Sequence, residues 1–301
     1  PEMERAGYDR GFAGALTAAG GLLSPIIPPS MLFIIYGVLA QVPIGDMFIA
    51  GIVPGLILFA AFIIIVAFLG FRHNYPAEAK ASWSELKRDL FYALPALSIP
   101  VVIVGSIMSG LATPTESAGI ATVLSFLIGR FIYRTIHLGD IGSILKDTAT
   151  GAAAVIVMIA AAHVLGWALI FEQIPQQVAH WLSGVTSSPF LFMLLVMLAL
   201  LLIGMVLDGI AALILVVPIL LPIAVNNYQI DPVHFGVVVC INLVLGLLTP
   251  PVGTGLFVTA NMAEVSMFRV FRSLLPFLVV CLAILVLLSG FPALTIGLLG
   301  K

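Results

Sequence analysis

The chain has 301 residues, of which 61% are hydrophobic and 9% are charged, and its formal net charge is −2. Soluble domains carry about 25% charged residues, so this composition excludes an ordinary water-soluble exterior and indicates that lipid surrounds most of the protein. The small net charge gives no reason to expect a nucleic-acid partner. Cys240 and Cys281 lie in apolar runs, where we expect neither a disulfide nor a metal site.

Long apolar segments recur along the chain and predict membrane-spanning helices, which need about 20 such residues. Five segments are long enough: 46–71, 90–110, 114–134, 148–171 and 271–291. Four others are short or interrupted: 11–23, 30–40, 234–248 and 252–263. The charged segment 76–89 is typical of an amphipathic helix at the membrane interface. The sequence therefore predicts an all-α polytopic membrane protein.

Lysine and arginine predict the orientation of the chain, because cytoplasmic loops collect these residues. Basic segments are 1–10, 72–89, 130–147 and 269–272, and they alternate with segments that carry no basic residue, namely 40–46, 111–113, 172–189 and 226–233. Eleven of the twelve basic residues fit an orientation with residues 1–10 in the cytoplasm, and only Lys301 does not.

The apolar region 189–225 is expected to enter and leave the membrane on the same outer side, because neither flank carries a basic residue. This predicts a re-entrant hairpin with its tip at residues 204–209. Two ordinary helices joined by a short inner turn are the alternative. Asp208 lies at the tip, where it could bind a cation, carry a proton, or cap the helix that follows.

Two proline-rich segments form an internal repeat. Gly20-Gly21-Leu22-Leu23-Ser24-Pro25 resembles Leu245-Gly246-Leu247-Leu248-Thr249-Pro250, and a short apolar helix follows each. The charge distribution predicts that the first segment runs outward and the second inward. Similar elements of opposite orientation are typical of the inverted repeats of secondary transporters.

The prolines in these segments predict breaks in two transmembrane helices, because proline lacks the N–H donor and clashes with the preceding turn. Such breaks persist in a membrane only where protein or a wet cavity covers them. Their carbonyl groups, with the hydroxyls of Ser24, Ser30, Thr249 and Thr254, could bind a small cation. The alternative is a pair of kinks that only help the helices to pack.

Other polar residues leave several functions open. Thr113-Pro114-Thr115-Glu116 predicts a capping box that begins a helix. Asn242 could support the second break or simply bond to another helix. The sequence contains no Ser-His pair, zinc motif or phosphate loop, so we expect no enzyme. A channel would need a continuous polar stripe along several helices, and the sequence shows none. A purely structural membrane subunit would not need two paired breaks. A coupled transporter is therefore favoured.

The chain also resembles a known family, the large membrane subunit of tripartite ATP-independent periplasmic (TRAP) transporters. The residues that carry the resemblance follow one another from end to end: Gly7-Tyr8-Asp9, Phe12-Ala13, Ile27-Pro28-Pro29-Ser30, Tyr36-Gly37, Ala50-Gly51-Ile52-Val53-Pro54-Gly55, Gly110-Leu111-Ala112-Thr113-Pro114-Thr115-Glu116-Ser117-Ala118, Gly204-x-x-x-Asp208, Pro218-Ile219-Leu220-Leu221-Pro222, Asp231-Pro232-Val233-His234-Phe235-Gly236 and Thr249-Pro250-Pro251-Val252-Gly253.

The resemblance implies a Na⁺-driven elevator transporter in the bacterial inner membrane. Its cargo would be a carboxylate, such as a C4-dicarboxylate or sialic acid, delivered by a periplasmic binding protein, and a small membrane subunit would brace the scaffold. A symporter that needs no binding protein is the alternative. Na⁺ would be the coupling ion, and no other cofactor is expected. The chain would be the C-terminal part of the subunit, without the first hairpin.

The implied Na⁺ ligands lie at the breaks and the hairpin tip: Gly204, Asp208, Gly246, Thr249 and Val252 in the second repeat, and Gly21, Ser24 and Ile27 in the first. The substrate is expected near Pro29, Ser30, Gly253 and Thr254. We expect five regions: the first broken helix (1–45), scaffold helices with an interfacial helix (46–147), a second-repeat helix with an outer arm (148–188), the hairpin with the second broken helix (189–264) and a C-terminal scaffold helix (265–301). Regions 1–45 and 189–264 would form the moving transport body.

Overall fold

A computed structural model describes residues 2–73 and 82–300. These residues form α-helices, two short 3-10 helices (Leu138–Asp140 and Gly297–Leu299) and one short π-helix (Ile128–Ile132). The α-helices are α1 (Glu2–Arg5), α2 (Arg10–Leu23), α3 (Met31–Ala40), α4 (Ile44–His73), α5 (Trp83–Met108), α6 (Pro114–Leu127), α7 (Ile141–Phe171), α8 (Ile174–Val185), α9 (Pro189–Gly204), α10 (Gly209–Asn226), α11 (Pro232–Gly246), α12 (Thr254–Met262), α13 (Met267–Gly290) and α14 (Ala293–Ile296). The described residues divide into two compact units, 2–73 with 164–300 and 82–163.

Six stretches in the described residues are long and apolar enough to cross a membrane: Ile44–Arg72, Trp83–Met108, Pro114–Ile132, Leu138–Phe171, Gly209–Asn226 and Met267–Gly290. Five of them correspond to the predicted spans, and the sixth is the second arm of the predicted hairpin. The prediction of an all-α polytopic membrane protein is confirmed.

The second long span begins earlier than the sequence suggested. Ser82 caps α5 in a capping box with Glu85, and the helix then runs without interruption to Met108. Residues 83–89, which we assigned to a separate interfacial helix, are therefore the first turns of α5. The rest of that predicted helix, 76–81, lies outside the described residues.

Helix α11 is the centre of the larger unit, since every residue from Val233 to Gly246 is buried. Its sequence is apolar on all sides, and a helix of that kind is stable only when other helices surround it. Helices α3, α4, α9, α10 and α13 pack around it. The broken segment that follows α11 therefore starts from inside the protein; Leu248 and Gly253 in it are buried, whereas Pro251 and Val252 are exposed.

The two broken helices run antiparallel. The start of the first lies beside the end of the second, because a Cβ on Gly14 would lie 3.2 Å from the Cβ of Ala263 and 3.6 Å from the carbonyl oxygen of Thr259. The end of the first lies beside the start of the second, where the ring of Tyr36 covers Gly236. The geometry agrees with the opposite orientations predicted from the charges.

Residues predicted to share the cytoplasmic side lie together. The guanidinium of Arg269 donates to the carboxylate of Asp9, and Arg10 Nη1 lies 3.2 Å from Glu264 Oε2. At the opposite end, the hydroxyl of Tyr228 donates to the carbonyl of Thr186 at 2.9 Å.

In the smaller unit, α5 and α6 form an antiparallel pair. The hydroxyl oxygens of Ser106 and Ser117 are 2.8 Å apart near the connecting turn, and Tyr133 donates to the carbonyl of Tyr92 at 2.7 Å near the other end. The predicted capping box begins α6: Thr113 Oγ1 accepts from the N–H of Glu116 at 3.3 Å, and Glu116 Oε2 accepts from the N–H of Thr113 at 2.8 Å.

Candidate functional site

The second break separates α11 from α12 at the predicted prolines. Helix α11 ends at Gly246, and α12 begins after Gly253, whose φ of +46° is a left-handed conformation that glycine adopts easily. The hydroxyl of Thr249 donates back to the carbonyl of Leu245 at 2.9 Å. Peptide bonds Pro28-Pro29 and Pro250-Pro251 are both cis, one in each break.

The region 189–226 is a helical hairpin whose arms, α9 and α10, meet at residues 205–208. Its two ends lie together, because the ring of Tyr228 stacks on that of Phe192 with centroids 4.2 Å apart. Asp208 caps α10, with Oδ2 accepting from the N–H of Ile210 at 3.0 Å, and its side chain is exposed. The structure thus shows the capping role that the sequence left open for this residue.

The hairpin tip contacts the second break through the backbone. A Cβ placed on Gly246 would lie 2.6 Å from the Cα of Gly204, which is closer than real Cβ contacts come. The N–H of Gly253 points to the carbonyl of Met205 at 3.4 Å. Small residues permit this approach of two helix backbones. Three of the residues predicted for the ion and substrate sites, Gly204, Gly246 and Gly253, are therefore brought together.

The tip also lies near the helix that follows the first break. A Cβ on Gly209, at the start of α10, would contact the side chains of Leu32 and Leu247, each at 3.8 Å. Leu32 is in α3, and Leu247 is in the second break. The hairpin tip therefore lies between the two broken helices.

The first break is supported by α4. Gly51 and Gly55 of α4 face it, because a Cβ on Gly51 would lie 3.1 Å from the carbonyl oxygen of Ile26 and one on Gly55 would lie 2.9 Å from Cγ1 of Ile27. Ser30 is buried, and its hydroxyl donates to the carbonyl of Pro25 while accepting from the N–H of Phe33. This hydroxyl holds the break together.

The remaining predicted site residues surround these contacts. Side chains of Ser24, Ile27, Val252 and Thr254 are exposed, Gly21 has open space where a Cβ would point, and Pro29 is half-buried. No group of three or more His, Cys, Asp or Glu side chains that could hold a metal occurs among the described residues.

Two contacts beyond the predicted ligands fix the helices around the site. The hydroxyl of Tyr36 donates to the carbonyl of Pro232, and its ring occupies the space that a Cβ on Gly236 would need, only 2.1 Å from Cε1. The sequence motifs contained both residues but gave no sign that they touch. The pairing depends on the antiparallel packing of the two broken helices.

Asn242 bonds to another helix, as one of its two predicted roles requires. Its Nδ2 donates to the carbonyl of Met197 in α9 at 2.8 Å. The residue is fully buried, and Oδ1 has no hydrogen-bond partner among the described residues. A hydrogen bond of this kind contributes about 0.5–1.5 kcal/mol net, whereas an unsatisfied buried acceptor costs about 1–3 kcal/mol. The amide therefore adds little to the free energy of unfolding.

Comparison with known proteins identifies similar chains. Residues 1–294 match the profile of the family described as tripartite ATP-independent periplasmic transporter, DctM component. A sialic acid TRAP transporter large permease protein from Vibrio cholerae is 37% identical over 98% of this chain and 69% of its own length.

Two other relatives are similar over the same region. A C4-dicarboxylate TRAP transporter large permease protein from Pseudomonas aeruginosa is 33% identical over 98% of this chain and 69% of its own. An isethionate TRAP transporter permease protein from Oleidesulfovibrio alaskensis is 34% identical over 97% of this chain but only 46% of its own. The chain thus spans about half of one relative and about two thirds of the others. The relatives are transport permeases, and the apolar helices agree with a multi-pass membrane protein.

Proposed function

Because this chain belongs to the DctM component family of the tripartite ATP-independent periplasmic transporters, we propose that it acts in the Na⁺-coupled import of a carboxylate solute. Family membership makes it a transport permease rather than an enzyme. The observation that carries the proposal is the contact of the hairpin tip with the second break, where Gly204 meets Gly246.

The proposed Na⁺ sites lie at the breaks, where backbone carbonyls have lost helical donors to proline. The second-repeat ligands are Gly204, Asp208, Gly246, Thr249 and Val252. The first-repeat ligands are Gly21, Ser24 and Ile27. A carbonyl oxygen has two lone pairs, so a carbonyl that accepts one hydrogen bond can also bind an ion. The cation would neutralise the Asp208 carboxylate, which is otherwise costly to move through lipid.

The substrate is proposed to bind between the breaks, near Pro29, Ser30, Gly253 and Thr254. The N-termini of α3 and α12 begin here, and helix N-termini favour anions. The substrates in the relatives' names differ, being sialic acid in one case and C4-dicarboxylate in another. We therefore propose a carboxylate without choosing among them.

The proposed mechanism moves the hairpin and the broken helices (1–45 and 189–264) past static helices in the bacterial inner membrane. Ion binding would favour the conformation in which this transport body can cross the membrane, provided that the ion binds that conformation more tightly than the other. A ligand shifts a conformational equilibrium only by its differential affinity for the two states. A periplasmic binding protein would deliver the substrate, and a small membrane subunit would support the scaffold. A symporter without a binding protein remains the alternative.

Uptake of radiolabelled solute into proteoliposomes that contain the complete membrane transporter tests the proposal. We expect uptake with Na⁺ outside and none with K⁺, and we expect it only when the binding protein is added. Uptake that follows a pH gradient and ignores Na⁺ would refute the ion assignment. Uptake without the binding protein would favour the alternative. Thr249→Val, which removes one proposed ligand at nearly constant volume, should raise the Na⁺ concentration for half-maximal uptake.

A further inference from the structure

We propose that Asn242 is a positioning residue that sets the register of hairpin arm α9 against α11 and so seats the hairpin tip on the second break. This role of Asn242 rests on the proposed function only for its expected effect on Na⁺ affinity.

The geometry places the Asn242 bond within reach of the tip contact. At 1.5 Å per residue, Asn242 lies about 6 Å before Gly246 along α11, and Met197 lies about 10 Å before Gly204 along α9. Helical side chains lean toward the N-terminus, whereas carbonyls point toward the C-terminus. The Asn242 side chain and the Met197 carbonyl therefore extend toward each other and make up the difference between these two distances. Helices α9 and α11 therefore approach the tip contact in register when the Asn242 amide reaches the Met197 carbonyl at 2.8 Å.

The orientation of the amide follows from its partner. A carbonyl oxygen can only accept, so the NH₂ group of Asn242 must face Met197 and Oδ1 must face away. Oδ1 is buried without a donor among the described residues. An apolar side chain would avoid that cost, so the amide is better explained by specificity than by stability. A single buried polar residue that fixes helix register is the best-supported use of such groups.

The neighbouring Ser289 provides a matched control. Its hydroxyl is buried and contacts the same Met197, but through sulfur at 3.2 Å, and it also donates to Leu285 in its own helix at 2.9 Å. Removing it changes the same polar cluster without removing the bond between α9 and α11.

The test measures how tightly the tip is seated. A cysteine in place of Val206, whose side chain is 60% exposed at the tip, reports the accessibility of the tip through its rate of reaction with N-ethylmaleimide. Cys240 and Cys281 are buried, and the parent protein without the new cysteine gives their background. Labelling is measured in the complete transporter without Na⁺, so the result does not depend on ion coupling.

In the Val206→Cys background, Asn242→Leu should speed labelling at least fivefold, whereas Ser289→Ala should leave the rate unchanged. The thermal midpoint of Asn242→Leu should not fall, because the unsatisfied oxygen is removed together with the bond. A lower midpoint with an unchanged labelling rate would overturn the proposal. Asn242→Ala carries the same labelling expectation if the leucine variant does not fold.

Asn242→Leu in the otherwise unchanged transporter should also raise the Na⁺ concentration for half-maximal uptake severalfold. If Na⁺ has no effect on wild-type uptake while Asn242→Leu still speeds labelling, the proposed function fails and the register assignment stands. If Na⁺ drives uptake but the variant changes neither labelling nor half-saturation, the register assignment fails alone.

Discussion

Gly204 and Gly246 lie so close that a methyl group on Gly246 would sit 2.6 Å from the Cα of Gly204 and 3.1 Å from its carbonyl oxygen. One glycine ends the first arm of the hairpin, and the other ends the helix before the second break. A contact between two backbones cannot be relieved by rotation of a side chain. The position of the tip therefore depends on the absence of a Cβ on both residues.

Gly246→Ala is expected to displace the hairpin tip. Overpacking of a tight contact costs about 1–3 kcal/mol, so the thermal midpoint should fall, and the Na⁺ concentration for half-maximal uptake should rise. Thermal unfolding in detergent and uptake in proteoliposomes measure the two effects. Gly20→Ala is the matched control, because nothing lies within 4 Å of its Cβ position. Equal behaviour of the two variants would contradict the importance of the contact.

Asp208→Asn separates the observed cap from the proposed ion ligand. Asparagine caps helices about as well as aspartate, so the variant should keep the thermal midpoint near that of the wild type. Loss of the charge should raise the Na⁺ half-saturation about tenfold or more if the carboxylate faces the ion, which corresponds to about 1.4 kcal/mol. Unchanged half-saturation would leave Asp208 with the capping role alone.

Tyr36 and Gly236 are expected to respond differently to substitution. Tyr36→Phe removes only the hydrogen bond to Pro232 and should cost about 1 kcal/mol. Gly236→Ala would force a Cβ to within 2.1 Å of the buried ring and should cost more. Unfolding midpoints of the two variants and the wild type decide the order. A larger fall in the unfolding midpoint for Tyr36→Phe than for Gly236→Ala would show that the hydrogen bond contributes more to stability than the packing of the ring on Gly236.

Asp9 and Arg269 are expected to give a pH dependence at the end of the larger unit that the charges predict to be cytoplasmic. Partial burial raises the pKa of the Asp9 carboxyl, but the N–H of Phe12 and the guanidinium of Arg269 outweigh it, so this pKa lies below its ordinary value of 3.8. A lowered pKa stabilises the folded protein above that ordinary value, and the contribution disappears as the pH falls through the folded-state pKa.

Asp9→Asn keeps the cap on α2 but removes the ion pair, so at pH 7 it should lower the unfolding free energy by at most about 1 kcal/mol, as exposed pairs do. The difference between wild type and variant should shrink below about pH 4. Thermal midpoints at several pH values measure this difference. A difference in midpoint that grows on acidification would contradict the predicted direction of this pH dependence.

Local residue patterns were sufficient to predict most of the helices. Apolar runs located five of the six spanning stretches, the alternation of Lys and Arg predicted which ends share a side, and Thr113 with Glu116 predicted the start of α6. The start of α5 was predicted too late, because the charged residues 83–89 masked a helix that Ser82 had already begun. Polarity marks where a helix leaves lipid, whereas capping marks where it begins.

The site was predicted only in part. The prolines gave both breaks, and Asp208 marked the hairpin tip, because each is a property of a few adjacent residues. The engagement of Ser30 in holding its own break could not be predicted, since it depends on the path of the chain from Pro25 to Phe33. The assignment of ion and substrate ligands stays a prediction.

The sequence by itself determined that this chain forms membrane helices, where two of them break and that these two run in opposite directions, because hydropathy, proline chemistry and loop charge act locally. Only the tertiary structure decided which backbones meet. The contacts of Gly204 with Gly246, of Tyr36 with Gly236 and of Asn242 with Met197 join distant residues. They depend on the space between packed helices. A glycine in a sequence does not show which neighbouring residue requires it to lack a Cβ.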